Sequence, residues 1–293
     1  MKDIIVIVGP TGVGKTKLSI ELAKKTDGEI INGDSVSIYK RLNIGSAKPT
    51  IEEREGIPHH LIDIKDIFDS YSVFDYQKDG RKIIDELNNK DKQIIIVGGT
   101  GLYIKALLYD YVFTEGTTNN TYDDLNNEEL LEKIHEYDSN IDIHMNNRQR
   151  LVRLLNKYEN DEIITNNKDK LLYNIKVIGL TTDRETLYER INNRVEEMFK
   201  NGLLEEVDSL KDYYDEAQIL NTAIGYKEFK DYFDNKTSLD EVKELIKKNS
   251  RRYAKRQYTF FNNQFKVNWY DVDFNDFSTT INKIYCDIIK NNE

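Results

Sequence analysis

Gly9-Pro10-Thr11-Gly12-Val13-Gly14-Lys15-Thr16 follows directly on the apolar run Ile4-Ile5-Val6-Ile7-Val8 and leads into the helical pattern Leu18, Ile20, Leu22, Ala23. Strand, glycine-rich turn and helix opening come in one sweep, which is the context of a phosphate-binding loop. The spacing G-x-x-x-x-G-K-T gives each residue type a task. Glycines let the backbone curl so that successive N–H groups point at phosphate oxygens, and the helix N-terminus adds a favourable dipole. Lys15 neutralises charge, and the Thr16 hydroxyl can ligate Mg²⁺. A turn that is glycine-rich only because it is tight explains neither Lys15 nor Thr16. The loop specifies a polyphosphate and demands neither base nor ribose, so any diphosphate fits.

Around this loop lies a chain of 293 residues, long enough for one large domain or a domain with an insertion. Hydrophobic residues make up 39% and charged ones 32%, the balance of a soluble globular protein. No apolar run approaches the roughly 20 residues of a membrane helix, and no charged-then-apolar leader precedes the first strand. The expected compartment is therefore cytoplasmic, with no membrane partner. The single cysteine, Cys286, cannot form an internal disulfide and excludes a cysteine-built metal cluster. A net charge of −10 at pH 7 argues globally against nucleic acid, so the local basic clusters carry more weight.

In chain order, Ile30 to Ile38 reads as a second parallel strand ending in a polar turn that carries Asp34. Ligands of open parallel sheets sit beyond the carboxyl ends of the strands, which puts Asp34 beside Lys15; as an alternative, Asp34 caps a helix that begins near Tyr39. Residues 43–63 read as a loop, a short acidic helix and a return strand. The adjacent His59 and His60 point to opposite faces of that strand, which speaks against a two-histidine metal site. Residues 71–89 fit an amphipathic helix. Ile94-Ile95-Ile96-Val97 then repeats the opening grammar, and Gly98-Gly99-Thr100-Gly101 turns into a helix, with Thr100 facing the crevice or capping that helix.

After Leu108 the character changes. Residues 114–127 are polar, and 128–167 are helical in pattern up to an expected strand at 171–178. Residues 113–169 therefore read as a small helical insertion, with 1–112 and 170–293 forming the α/β core. Within the insertion, Arg148-Gln149-Arg150-Leu151-Val152-Arg153-Leu154-Leu155 can bury leucines on one side and present cations on another, or is simply a solvated basic helix. Past the strand, Gly179 to Asp183 reads as a turn, and Arg190 and Arg194 share one face of the next helix, as a phosphate-closing lid or as surface arginines. The densest basic cluster is Lys247, Lys248, Arg251, Arg252, Lys255 and Arg256, with Tyr253, Tyr258, Phe260 and Phe261 interleaved. Cations with aromatics suit a nucleic-acid backbone and unstacked bases.

Together, the phosphate loop, Asp34-Ser35, Gly98-Gly99-Thr100-Gly101-Leu102-Tyr103, Gln149-Arg150-Leu151-Val152-Arg153, Ile224-Gly225-Tyr226-Lys227-Glu228 and Ala254-Lys255-Arg256-Gln257 resemble the bacterial tRNA dimethylallyltransferase family in order and spacing. The resemblance runs from residue 4 to about 270. It implies a P-loop NTPase-like parallel sheet with an inserted helical domain. It implies transfer of a dimethylallyl group from its diphosphate to the exocyclic amine of the adenosine immediately 3′ of the anticodon. By the same resemblance Gly9, Pro10, Thr11, Gly12, Val13, Gly14, Lys15 and Thr16 hold the diphosphate with Mg²⁺ on Thr16, Asp34 is the general base, and Thr100 bonds near the reacting centre. Asp34, Ser35, Val36, Ser37, Thr100, Gln149, Arg150, Leu151, Val152, Arg153, Lys255 and Arg256 are the implied contacts to the tRNA anticodon stem-loop, and the expected working unit is a monomer. Tyr122-Asp123 and Thr259-Phe260-Phe261-Asn262 depart from the family pattern by losing a cation each. The alternative is a small-molecule or nucleoside kinase, which has no evident use for the basic-aromatic helix; a GTPase-like switch lacks its base-reading stretch, since Asn235-Lys236-Thr237-Ser238 has no aspartate.

Overall fold

The computed structural model describes residues 2–111, 120–141, 143–160 and 170–290. Contacts divide the chain into two compact units, one of Met1–Tyr109 with Leu171–Glu293 and the other of Asp110–Lys170. The expected boundaries at 112–113 and at 169 fall outside the described residues, as does part of the polar run 114–127.

The larger unit contains β1 (Ile4–Val8), α1 (Lys15–Thr26), β2 (Gly28–Asn32), β3 (His59–His60), α2 (Val73–Asn89), β4 (Gln93–Val97) and α3 (Gly101–Leu108). The smaller unit contributes α4 (Asn127–Tyr137) and α5 (Arg148–Glu159). The chain then returns to the larger unit with β5 (Ile175–Thr181), α6 (Arg184–Lys200), α7 (Leu203–Asp208), α8 (Lys230–Phe233), α9 (Leu239–Gln264), β6 (Asn268–Asp271) and α10 (Phe277–Lys290). Six strands form one sheet in the order β3-β2-β4-β1-β5-β6, every pair parallel. β1 is fully apolar because both its faces are covered: Ile4, Val6 and Val8 join one buried cluster, Ile5 and Ile7 the other. The first cluster takes Tyr76 and Ile84 from α2 and Leu107 from α3, while the second takes Leu18 and Leu22 from α1 and Ile281 and Ile284 from α10.

The sheet reverses its winding between β1 and β4, and the ligand crevice of such a sheet lies there. The Gly33 amide donates to the Val97 carbonyl (2.8 Å) and the Thr100 amide to the Gly33 carbonyl (3.0 Å). This approach demands a glycine at 98, where a β-carbon would stand 2.1 Å from the Gly33 carbonyl carbon.

Several local expectations are corrected. The second strand covers Gly28–Asn32 only, and turns rather than a helix follow Asp34. The expected acidic helix near residue 52 is a series of turns; its acidic residues are exposed and lack an apolar stripe to pack. The strand expected at 171–178 begins at Ile175, with Leu171 only bridging Tyr109, and Gly179, Leu180 and Thr181 belong to the strand because they pair with Trp269, Tyr270 and Asp271 of β6. Among the described residues no helix is long and apolar enough to cross a membrane.

In the smaller unit, Leu130, Ile134, Leu151 and Leu155 are buried against one another. Arg148 donates to the carbonyls of Leu125 (2.7 Å) and Tyr122 (2.6 Å) and so ties α5 to the turn before α4. Gly98→Ala should destabilise the larger unit by roughly 3 kcal/mol, the upper range of overpacking, because backbone rather than a side chain must move. Denaturant unfolding would reveal it, and an unchanged midpoint would mean the strand ends can part freely.

Candidate active site

α1 opens at Gly14 (φ +93) with no side-chain cap and no acidic residue in its first turn. Its first amides are therefore open to an anion, and the dipole favours one. Lys15 Nζ donates to the Gly9 and Pro10 carbonyls (2.9 and 2.7 Å), which folds the ammonium over the loop. Burial and then the neighbouring Arg194 push the Lys15 ammonium down to about 7, against the opposing pull of Asp34.

Asp34 follows β2 in a turn fixed by Asn32, a buried asparagine at the end of that strand. Asn32 Nδ2 donates to the carbonyls of Asp34 and Leu61 (2.9 Å each), and its Oδ1 accepts from the Asp34 amide (3.0 Å). Asp34 Oδ1 accepts from the Val36 amide (3.0 Å); Oδ2 has no hydrogen-bond partner among the described residues. No helix is there for Asp34 to cap. Thr100 heads α3 without a side-chain cap bond. Its hydroxyl accepts from the Ser35 amide (3.0 Å) and donates to Ser35 Oγ (3.2 Å), so it holds the Asp34 turn instead.

The arginines on α6 close the third side. Arg190 Nε donates to the Gly12 carbonyl (2.9 Å) and Arg194 Nη1 to Thr11 Oγ1 (2.8 Å). Burial lowers the Arg194 guanidinium from its usual value, with Asp34 opposing. The Arg190 guanidinium also lies 3.7 Å from the ring centroid of Phe274, a cation–π contact. Lys15, Thr16, Asp34, Arg190 and Arg194 all line one cavity of about 700 Å³, together with Ser35, Val36 and Ser37. Gln257 and Tyr253 of α9 border it and donate to the Gly99 carbonyl (3.1 and 3.0 Å).

Among the described residues no cluster of three or more His, Cys, Asp and Glu could hold a metal. The exposed Thr16 hydroxyl in the first turn of α1 nonetheless fits Mg²⁺, which takes few protein ligands and completes its shell with water and diphosphate oxygens. His59 and His60 form no joint site: His59 Nδ1 pairs with the Ile57 carbonyl (2.8 Å) and His60 Nε2 with Glu29 (2.7 Å).

The basic clusters are sorted by burial. On α9, Lys248, Arg252, Lys255 and Arg256 are exposed. Three of the four interleaved aromatics face elsewhere than the sequence expectation had them: Phe261 is buried in the core, Phe260 packs on Gly101, and the Tyr258 hydroxyl bonds to Thr181 (2.7 Å), while Tyr253 borders the cavity. The helix must cover the sheet, and its rings do that. On α5, Gln149, Arg150 and Arg153 are exposed and Val152 is half-buried. Leu151 is fully buried in the smaller unit's core, so its side chain supports the face rather than joining it.

The family model described as IPP transferase matches residues 37–264. The tRNA dimethylallyltransferase of Anoxybacillus flavithermus is 46% identical over 97% of this chain and 95% of its own length. The chain belongs to the IPP transferase family. The tRNA dimethylallyltransferase of Bacillus mycoides is 48% identical over 92% of the chain and 90% of its own length. Among solved structures, tRNA delta(2)-isopentenylpyrophosphate transferase of Staphylococcus epidermidis superposes with a TM-score of 0.75 at 39% identity, covering 99% of this chain and 100% of that one. A eukaryotic dimethylallyltransferase acting on tRNA gives 0.79 at 29% identity, covering 92% of this chain and 74% of that one. The membership makes this chain an IPP transferase-family enzyme with the family's α/β fold. Phe274 lies beyond the matched span, and no periodicity in the sequence marks it as a partner of Arg190.

A cation depressed to about 7 should recharge when an anion arrives. At about pH 8, calorimetry in buffers of different ionisation enthalpy should show that the wild type takes up most of one proton more than Lys15→Ala on binding inorganic diphosphate. Affinity should fall as the pH rises past about 7. Equal proton uptake by the two proteins would mean that Lys15 is charged before the anion binds.

Proposed function

We propose that this protein transfers a dimethylallyl group from dimethylallyl diphosphate to the exocyclic amine of the adenosine immediately 3′ of the anticodon in tRNA. The observation that carries this reading is that the open Asp34 carboxylate oxygen and the phosphate loop face one cavity. A new carbon–nitrogen bond forms as the carbon–oxygen bond to diphosphate breaks, and the electron pair leaves with the diphosphate. Asp34 accepts the proton that the amine loses. The loop amides, Lys15, Arg190 and Arg194 stabilise the departing charge, the largest electrostatic demand of such a displacement. Thr16 is the residue that would hold Mg²⁺, which when bound neutralises further diphosphate charge. Thr100, through its two bonds to Ser35, positions the Asp34 turn.

The target base must leave its stack to reach a crevice at strand ends, which a single-stranded loop makes cheap. Ser35, Val36 and Ser37 beside Asp34, and Lys255 and Arg256 on α9, are the proposed contacts of the larger unit. Gln149, Arg150, Val152 and Arg153 are the proposed contacts of the helical insertion to the anticodon stem. The proposed working unit is a monomer. The relatives reported above carry transferase names, which sets aside the kinase reading of the same loop.

Asp34→Asn should lower the transfer rate by about 10²- to 10⁴-fold while inorganic diphosphate binds within a few-fold of wild type. Single-turnover transfer from labelled dimethylallyl diphosphate measures this, and near-normal turnover would remove Asp34 as the base. Replacing Arg150 and Arg153 by Ala should raise KM for tRNA roughly tenfold, as lost phosphate contacts do, with donor binding unchanged. Wild-type tRNA kinetics would take that helix face out of the interface.

A further inference from the structure

Two stretches have no task in the chemistry above: Asn43-Ile44-Gly45-Ser46-Ala47-Lys48-Pro49 and Ile224-Gly225-Tyr226-Lys227-Glu228. In the structure they meet. A β-carbon on Gly45 would stand 2.6 Å from Tyr226 Cζ, and one on Gly225 would stand 2.9 Å from the Gly45 carbonyl oxygen. Each stretch is thus shaped to admit the other.

Glu206 on α7 binds both. Its Oε1 accepts from the amides of Ile44 and Gly45 (3.1 Å each) and from the Tyr226 hydroxyl (2.7 Å). Its Oε2 accepts from the amides of Asn43 (3.0 Å) and Ile44 (2.9 Å). Three successive N–H groups curled around one carboxylate make an anion nest, and hydrogen bonds to a charged acceptor are about twice as strong as neutral ones.

The anchored loop is a wall of the diphosphate cavity, to which it contributes Gly45, Ser46, Ala47 and Pro49. Ala47 sits at φ +52, which an alanine adopts only at a cost of about 1–2 kcal/mol, so the loop does not hold this shape unaided. The Ala47 carbonyl accepts from Arg194 Nη2 (3.5 Å), and Nη1 of the same guanidinium reaches Thr11 in the phosphate loop (2.8 Å). An unbroken chain of contacts runs from Glu206 through the wall to the phosphate loop.

We infer that Glu206 is a positioning residue of the diphosphate site: by clamping the backbone of residues 43–45 it holds the cavity wall, and with it Arg194, in the arrangement that receives a diphosphate. It touches no reacting atom. The inference rests on reading the cavity as a diphosphate site, but not on the transfer reaction.

Glu206→Gln keeps the shape of the side chain and removes its charge and one acceptor oxygen. The dissociation constant for inorganic diphosphate, measured by calorimetry on the full chain, should rise about tenfold, the scale of a lost charged hydrogen bond. kcat/KM for the prenyl donor should fall by at least the same factor, since Arg194 also faces the departing charge, while KM for tRNA stays within about twofold because the tRNA face is untouched. Hydrogen exchange at the amides of residues 43–45 should quicken in parallel. Tyr226→Phe should change the diphosphate constant by about threefold only, because the three backbone N–H groups of residues 43–45 still hold the carboxylate. Faster exchange at residues 43–45 with wild-type diphosphate affinity would overturn the proposal, as would a loss of kcat or thermal stability with donor affinity unchanged, the mark of plain structural damage. Unchanged exchange together with unchanged affinity would likewise overturn it. If the wild type itself bound no diphosphate, the reading of the cavity would fall and this proposal with it; normal wild-type binding with an indifferent Glu206→Gln would fell this proposal alone.

Discussion

Everything at the site depends on how closely two parallel strands end beside each other. β2 and β4 are followed at once by Gly33 and Gly98, and only the missing β-carbon at 98 lets the two turns exchange backbone hydrogen bonds. That contact delivers Asp34 and Thr100 to the same edge of the crevice, with the phosphate loop on the adjacent strand β1. The fully apolar strand β1, with the apolar runs of β2 and β4 beside it, supplies a rigid floor, since strands buried on both faces cannot shift register without exposing a whole face. Chemistry that needs a base and an anion cradle within one ligand's length is thereby built on backbone rather than on flexible side chains.

The electrostatics of the cavity run against the chain as a whole. A protein of net charge −10 gathers Lys15, Arg190 and Arg194 around one opening. Burial weakens the hold of Lys15 and Arg194 on their protons. Crowded, partly desolvated cations are costly until an anion arrives, so the free energy of that strain favours binding of a diphosphate. Phe274 against Arg190 and Glu206 against the 43–45 backbone serve the same end, since each fixes a group that would otherwise have to be ordered when the ligand binds.

The glycine-rich loop motif, the parallel sheet and the helical pattern after residue 127 were legible because each is written in local pattern. The G-x-x-x-x-G-K-T spacing, the unbroken apolar runs of β1 and β4 and the polar-to-helical change after Leu108 need no distant partner to be read. Strand limits were less legible. β5 lies four residues beyond its expected start because pairing with β1 and β6, not the apolar run at 171–173, decides where it begins. The aromatics of α9 show the same limit in another form: helical spacing placed them among cations, but only packing against the sheet and α3 decides which way they face.

The sequence by itself therefore determined the glycine-rich loop between β1 and α1, the residue types at the strand ends and the family to which they belong, because these are properties of neighbours along the chain. Tertiary structure alone decided that Asn32 ties the Asp34 turn to Leu61, that Thr100 spends its hydroxyl on Ser35, that Arg194 bridges the phosphate loop and the cavity wall, and that Glu206 clamps that wall. These contacts join residues up to 183 positions apart, as Arg194 and Thr11 are, and no local period encodes a pairing across such a distance. They form only once the burial of apolar surface has folded the chain and brought their elements together.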